Sequence, residues 1–73
     1  MLFRSLTVGR GALCLGKEIK QVALPQGSKL ILVVRDGKAE VPDDSTRLEE
    51  GDSVYAILEP GKADELRRVL VRE

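Results

Sequence analysis

Apolar and polar positions alternate over Leu2–Val8, putting Leu2, Leu6 and Val8 on one face and Phe3, Ser5 and Thr7 on the other. A period of two is the pattern of a half-buried strand, with Arg4 a charged member of its apolar face. "GRGA" then breaks the strand. In "GKEIKQVAL", Ile19, Val22 and Ala23 recur at helical spacing, which predicts one or two turns of helix before Pro25 ends them. Leu30–Val34 is an unbroken apolar run rich in branched residues and predicts a strand buried on both faces. Asp36-Gly37 between two extended segments predicts a tight hairpin, with Pro42 at the end or edge of the return strand.

From Asp43 to Asp52 the chain is polar, and Leu48 is its single apolar anchor. Gly51 and Asp52 predict a turn, since glycine tolerates positive φ and aspartate can hydrogen-bond the backbone of its own turn. Ser53–Leu58 alternates again, with Val54, Ala56 and Leu58 on one face and Tyr55 and Ile57 on the other. After "EPG", the segment "KADELRRVLVRE" sets Ala63, Leu66, Val69 and Leu70 on one helical face. Asp64 and Glu65 in its first turn and Arg72 in its last suit the helix dipole. The elements add up to an α+β fold, a small β-α-β-β-β-α sandwich with helices against an antiparallel or mixed sheet, forming one domain over residues 1–73.

Size changes this picture. A chain of 73 residues lies near the lower limit for independent folding and needs a supplement to its core. Disulfides are excluded because Cys14 is the only cysteine, and a metal is not expected because there is no histidine. A second subunit is the remaining supplement, so the fold is expected to be dimeric. Charge matters through its placement: residues 1–30 hold five basic groups and one acidic, residues 36–65 three basic and ten acidic. This is not the basic footprint of a nucleic-acid binder. No run approaches the ~20 apolar residues that span a bilayer, and the first residues lack the apolar segment of a secretory signal. A cytoplasmic location is expected.

No motif carries chemistry. Gly9, Gly11 and Gly16 fit neither the dinucleotide nor the Walker pattern, because Cys14 stands where the third glycine belongs and Glu18 follows Gly16–Lys17. Cys14 between Leu13 and Leu15 reads as a buried, inert thiol. Without histidine no serine–histidine or cysteine–histidine pair can be built. The acidic residues Asp43, Asp44, Glu49, Glu50 and Asp52 lack the spacing of a calcium loop. Neither an enzyme nor a cofactor is expected.

One ordered set of features resembles a known family. Gly16–Lys17 opens the short helix and Leu24–Pro25 ends it. The apolar strand finishes in Val34–Arg35 with Gly37, Pro42 lies on the return strand, and Thr46, Leu48, Gly51 and Asp52 precede the last strand. This order is similar to the TrkA-C domain, also called the C-terminal domain of regulators of potassium conductance (RCK C). A ubiquitin-type sulfur carrier shares the last turn but demands a C-terminal Gly-Gly, whereas this chain ends in "VLVRE".

The resemblance implies regulation: a cytoplasmic, ligand-sensing and dimerisation domain of a potassium or other cation transport system. The system could be a channel, an uptake system or a cation–proton antiporter, with a membrane transporter or channel subunit as partner in cis or in trans. The alternative is an interaction module that dimerises without a ligand. Family ligands such as cyclic di-AMP sit between two subunits, beside the short helix and the strand after it. Lys29 and Arg35 are therefore the expected contacts of an anionic ligand, and Asp36, Gly37, Gly51 and Asp52 the structural turn residues. Members that bind cyclic di-AMP place an Asp and an Arg about the helix end and an Asn ahead of the strand. Those positions hold Ala23, Pro25 and Lys29 here, so weak or no binding of that nucleotide is expected.

Overall fold

In the computed structural model, which describes residues 1–71, four strands form one antiparallel sheet: β1 Leu2–Thr7, β2 Ser28–Arg35, β3 Lys38–Glu40 and β4 Ser53–Leu58. Their order across the sheet is β1-β4-β2-β3. Helix α1, Ala63–Leu70, packs beneath. A single 3-10 turn, Ile19–Gln21, stands where the first helix is expected. The backbone turns extended at Val22 (φ −88°, ψ 131°), which ends it, while Ile19 N–H donates to the Thr46 carbonyl (2.9 Å) and Lys20 N–H to that of Asp44 (3.2 Å), as the first donors of a helix are free to do. Those donors serve the neighbouring segment, and Pro25 blocks further helix.

The core lies on one side of the sheet. Val54, Ala56 and Leu58 are fully buried there, joined by Leu30 and Val33 of β2 and by Leu66, Val69 and Leu70 of α1. Ala63 is half-buried at the helix start. Leu48 is fully buried, as its position in a polar stretch predicts, beside Val8, Ala12 and Cys14. The segment after β1 also closes the end of the helix: Gly9 and Cys14 N–H donate to the carbonyls of Leu70 and Val69, satisfying acceptors that a helix leaves open. Asp64 and Glu65 lie in the first turn of α1, while the expectation for Arg72 lies outside the described residues.

A second sequence expectation, after the short helix, needs correction. Strand β2 is not buried on both faces: Leu30 and Val33 are buried, while Ile31, Leu32 and Val34 are half-buried. Leu30 pairs with Ala56 but Leu32 pairs with Tyr55, so Ile31 is an extra residue that shifts the register. This bulge puts two residues three apart on the core face, which breaks the period of two. Among the described residues no element covers the sheet's other face, and both aromatic residues stand on it, Phe3 and Tyr55 with ring centroids 5.9 Å apart. Arg4 lies opposite Ala56 and is exposed, because β1 is an edge strand whose charged side chain reaches water.

Candidate functional site

Asp36 and Gly37 form the two-residue loop between β2 and β3, with Arg35 opposite Lys38 at its base. Both have positive φ, 52° and 77°, the combination a type I′ hairpin turn requires. Gly51 has φ 90°, as its place before the last strand predicts. Its N–H donates to the Val8 carbonyl (2.9 Å), and Val8 N–H donates to the Asp52 carbonyl (2.8 Å), which ties this turn to the end of β1.

Asp52 does more than shape the turn. The register sets Val34 opposite Ser53, so the next pair along both strands is Arg35 and Asp52. Arg35 Nε donates to Asp52 Oδ1 (2.9 Å) and Nη2 to Oδ2 (2.7 Å), a bidentate fork. Glu49 N–H donates to Oδ2 as well (2.9 Å). Asp52 is 2% exposed, yet every buried polar side-chain atom among the described residues has a partner. Burial pushes the Asp52 carboxyl up, but the Arg35 hydrogen bonds and the Glu49 N–H outweigh it, leaving it below the usual carboxylate range. The same hydrogen bonds raise the Arg35 guanidinium further above its ordinary value.

Arg35 also joins two loops. Its Nη2 donates to the Arg47 carbonyl (2.7 Å) and its Nη1 lies 3.2 Å from Glu49. Arg47 in turn donates to the Gly16 carbonyl (2.5 Å), so one arginine fork and a relay arginine fasten the segments around Gly16 and Leu48. This clamp is missing from the sequence reading, which assigns Arg35 to a ligand and Asp52 to a turn. A signal for it exists: each is a single charged residue abutting an apolar strand, one leaving β2 and one entering β4.

Lys29 stands at the other end of β2 under different conditions. It is exposed, and its side chain makes no hydrogen bond or ion pair among the described residues. With Ser28 and Leu30 it lines a cleft of about 160 Å³, closed on other sides by Ile19, Leu24, Pro42, Asp43 and Asp44. Its lining combines apolar residues with Lys29, Asp43 and Asp44. Lys29 and Arg35 are therefore not brought together. Arg35 borders a separate depression of about 190 Å³ with Asp36, Lys38 and Glu40, but its Nε, Nη1 and Nη2 are directed to Asp52, Glu49 and the Arg47 carbonyl.

The remaining acidic residues are dispersed. Asp43 caps its own turn by accepting from Ser45 N–H (2.9 Å), and Glu50 lies 3.8 Å from Arg10. Among the described residues no three His, Cys, Asp or Glu side chains are grouped to hold a metal ion. Cys14 is fully buried, and burial pushes its thiol up. Among the described residues no helix is long and apolar enough to cross a membrane. Against known families, the model of the TrkA-C domain matches residues 3–71.

Proposed function

Because this chain belongs to the TrkA-C domain family, whose members are generally regulatory domains of potassium transport systems, we propose that it is a ligand-sensing and dimerisation domain of a cation transport protein. The match over residues 3–71 carries this reading. The domain acts without catalysis, from the cytoplasmic side, and joins a channel, uptake or antiporter subunit in cis or in trans. Its ligand is a small anion-bearing molecule held between two copies, and Lys29 supplies the contact because its ammonium is unengaged. Rubidium uptake by cells carrying the parent gene tests the regulatory role. Deleting this domain is expected to alter uptake or its response to effectors; unchanged uptake and unchanged responses overturn the reading.

A second reading has an observation of its own. Arg35 is engaged by Asp52, and the cleft at Lys29 also holds Asp43 and Asp44, an unfriendly setting for an anion. On this reading the domain dimerises without a ligand. Calorimetry with cyclic di-AMP and other anionic nucleotides separates the two: heat of binding lost on Lys29→Ala supports sensing, and absent heat throughout supports the ligand-free module.

A further inference from the structure

The two outer strands of the sheet are defended unequally. Strand β3 is three residues long, carries Lys38 and Glu40, and is followed by Pro42, which has no N–H to extend a ladder. Strand β1 is six residues long with Arg4 as its one charge, and among the described residues it pairs with β4 alone. Its register on β4 runs from Leu2 to Thr7 without a bulge, so its backbone groups alternate between the two sides of the strand. Val8, next in line, fixes the phase: its N–H donates to the Asp52 carbonyl and its carbonyl accepts from Gly51 N–H, both beside β4. Leu2, Arg4 and Leu6 therefore bond β4, and Phe3, Ser5 and Thr7 turn their N–H and C=O groups outward. Among the described residues the one bond on that side comes from the strand itself, Arg4 Nη1 donating to the Phe3 carbonyl (2.9 Å).

Side chains along this edge specify what can pair with it. On the core face stand Leu2, Arg4 and Leu6, the two leucines half-buried against the core and Arg4 exposed between them. Phe3, 56% exposed, stands on the open face with Ser5 and Thr7. Residues 1–17 hold three basic groups and no acidic one, and no ion pair among the described residues includes Arg4. We propose that β1 is a docking edge for an extended segment of a partner protein. The segment adds antiparallel, as every pair in this sheet does, with Glu or Asp opposite Arg4 and apolar residues opposite Leu2 and Leu6. Main-chain bonds to Phe3, Ser5 and Thr7 supply the affinity, and the apolar–acidic–apolar spacing supplies the specificity. Strand β1 lies across the sheet from the Lys29 cleft, so this docking stands apart from the function proposed above.

Nuclear magnetic resonance of the isotope-labelled chain, titrated with the capped peptide Thr-Val-Thr-Glu-Tyr-Val, tests the proposal. Saturable shifts are expected in which the amides of Phe3, Ser5 and Thr7 move most and those of Leu2, Arg4 and Leu6 least. The peptide with Lys in place of Glu binds about fivefold more weakly or worse, and regains affinity for the Arg4→Glu chain. N-methylation of the peptide residue opposite Ser5 abolishes binding, because that N–H must donate to the Ser5 carbonyl. No shifts at millimolar peptide, binding that survives N-methylation, or equal affinity for the Glu and Lys peptides overturns the proposal. Shifts at Phe3, Ser5 and Thr7 that grow with the concentration of the chain alone put a second copy on this edge and overturn it likewise.

Discussion

Lys29 and Arg35 bracket the same strand, carry the same charge and lie six positions apart, but the fold uses them in opposite ways. Arg35 sits where two strands end side by side, so a carboxylate from β4 falls within its fork. Lys29 sits where β2 has lost its neighbour, and its ammonium meets an open cleft. The difference comes from topology, because the strand order β1-β4-β2-β3 gives the Arg35 end of β2 partners on both sides and the Lys29 end a partner on one. A cation flanked on both sides becomes structural, and one at an uncovered edge remains available to bind.

The largest expected effect breaks the structural end. Arg35→Ala strands the Asp52 carboxylate, 2% exposed, with the Glu49 N–H as its remaining side-chain hydrogen bond. Orphaning a buried charge costs several kcal/mol, less here because the Arg35 side chain is 37% exposed. A loss of about 2–4 kcal/mol in urea unfolding is expected. Arg35→Lys keeps the charge but not the fork, and recovers less than half of that loss.

Gly51→Val comes next, with an expected loss of about 1–3 kcal/mol. A Cβ there meets nothing within 4 Å, so the whole effect is the strain of φ 90°. Gly51→Asn, which tolerates that region better, is expected to lose less, and equal melting temperatures for the three proteins would contradict a strained turn.

Acid gives a smaller and graded test. Asp52 titrates lower in the folded chain than when unfolded, so its contribution is fully present above the unfolded value of about 4 and disappears as pH falls through the folded one. The urea midpoint of the native chain is expected to drop with acid below about pH 4. Asp52→Asn is less stable at neutral pH but shows a shallower acid slope, and parallel curves would remove Asp52 from the account.

Smallest of all is Lys29→Ala, expected to change unfolding of the dissociated chain by no more than about 0.5 kcal/mol, since among the described residues nothing is bonded to its side chain. Measured at submicromolar concentration, a destabilisation as large as that of Arg35→Ala would erase the contrast between the two ends.

Much of this contrast was out of reach of pattern reading, for reasons visible in single residues. Alternation in Ser53–Leu58, helical spacing in Ala63–Leu70, Asp36-Gly37 and the lone Leu48 are local signals, decided by side-chain period and backbone preference within a few residues. Those four hold in the structure as read. The bulge at Ile31 defeated the same reasoning in β2, since an apolar run gives no indication of which residue is the extra one. The short helix is likewise reduced to one 3-10 turn, which ends where Val22 turns extended and is docked by its first two donors on Asp44 and Thr46, some 25 residues on.

The sequence by itself therefore determined the strands, the closing helix, the turn residues and most of the core, down to family membership through the order of its motifs. The tertiary structure alone decided what the charges do. A charged residue beside an apolar strand looks the same in the chain whether it ends up facing a carboxylate or facing solvent. Register sets Arg35 against Asp52, while the early end of β3 exposes Lys29, and register and strand order are properties of pairs of segments that no single stretch encodes.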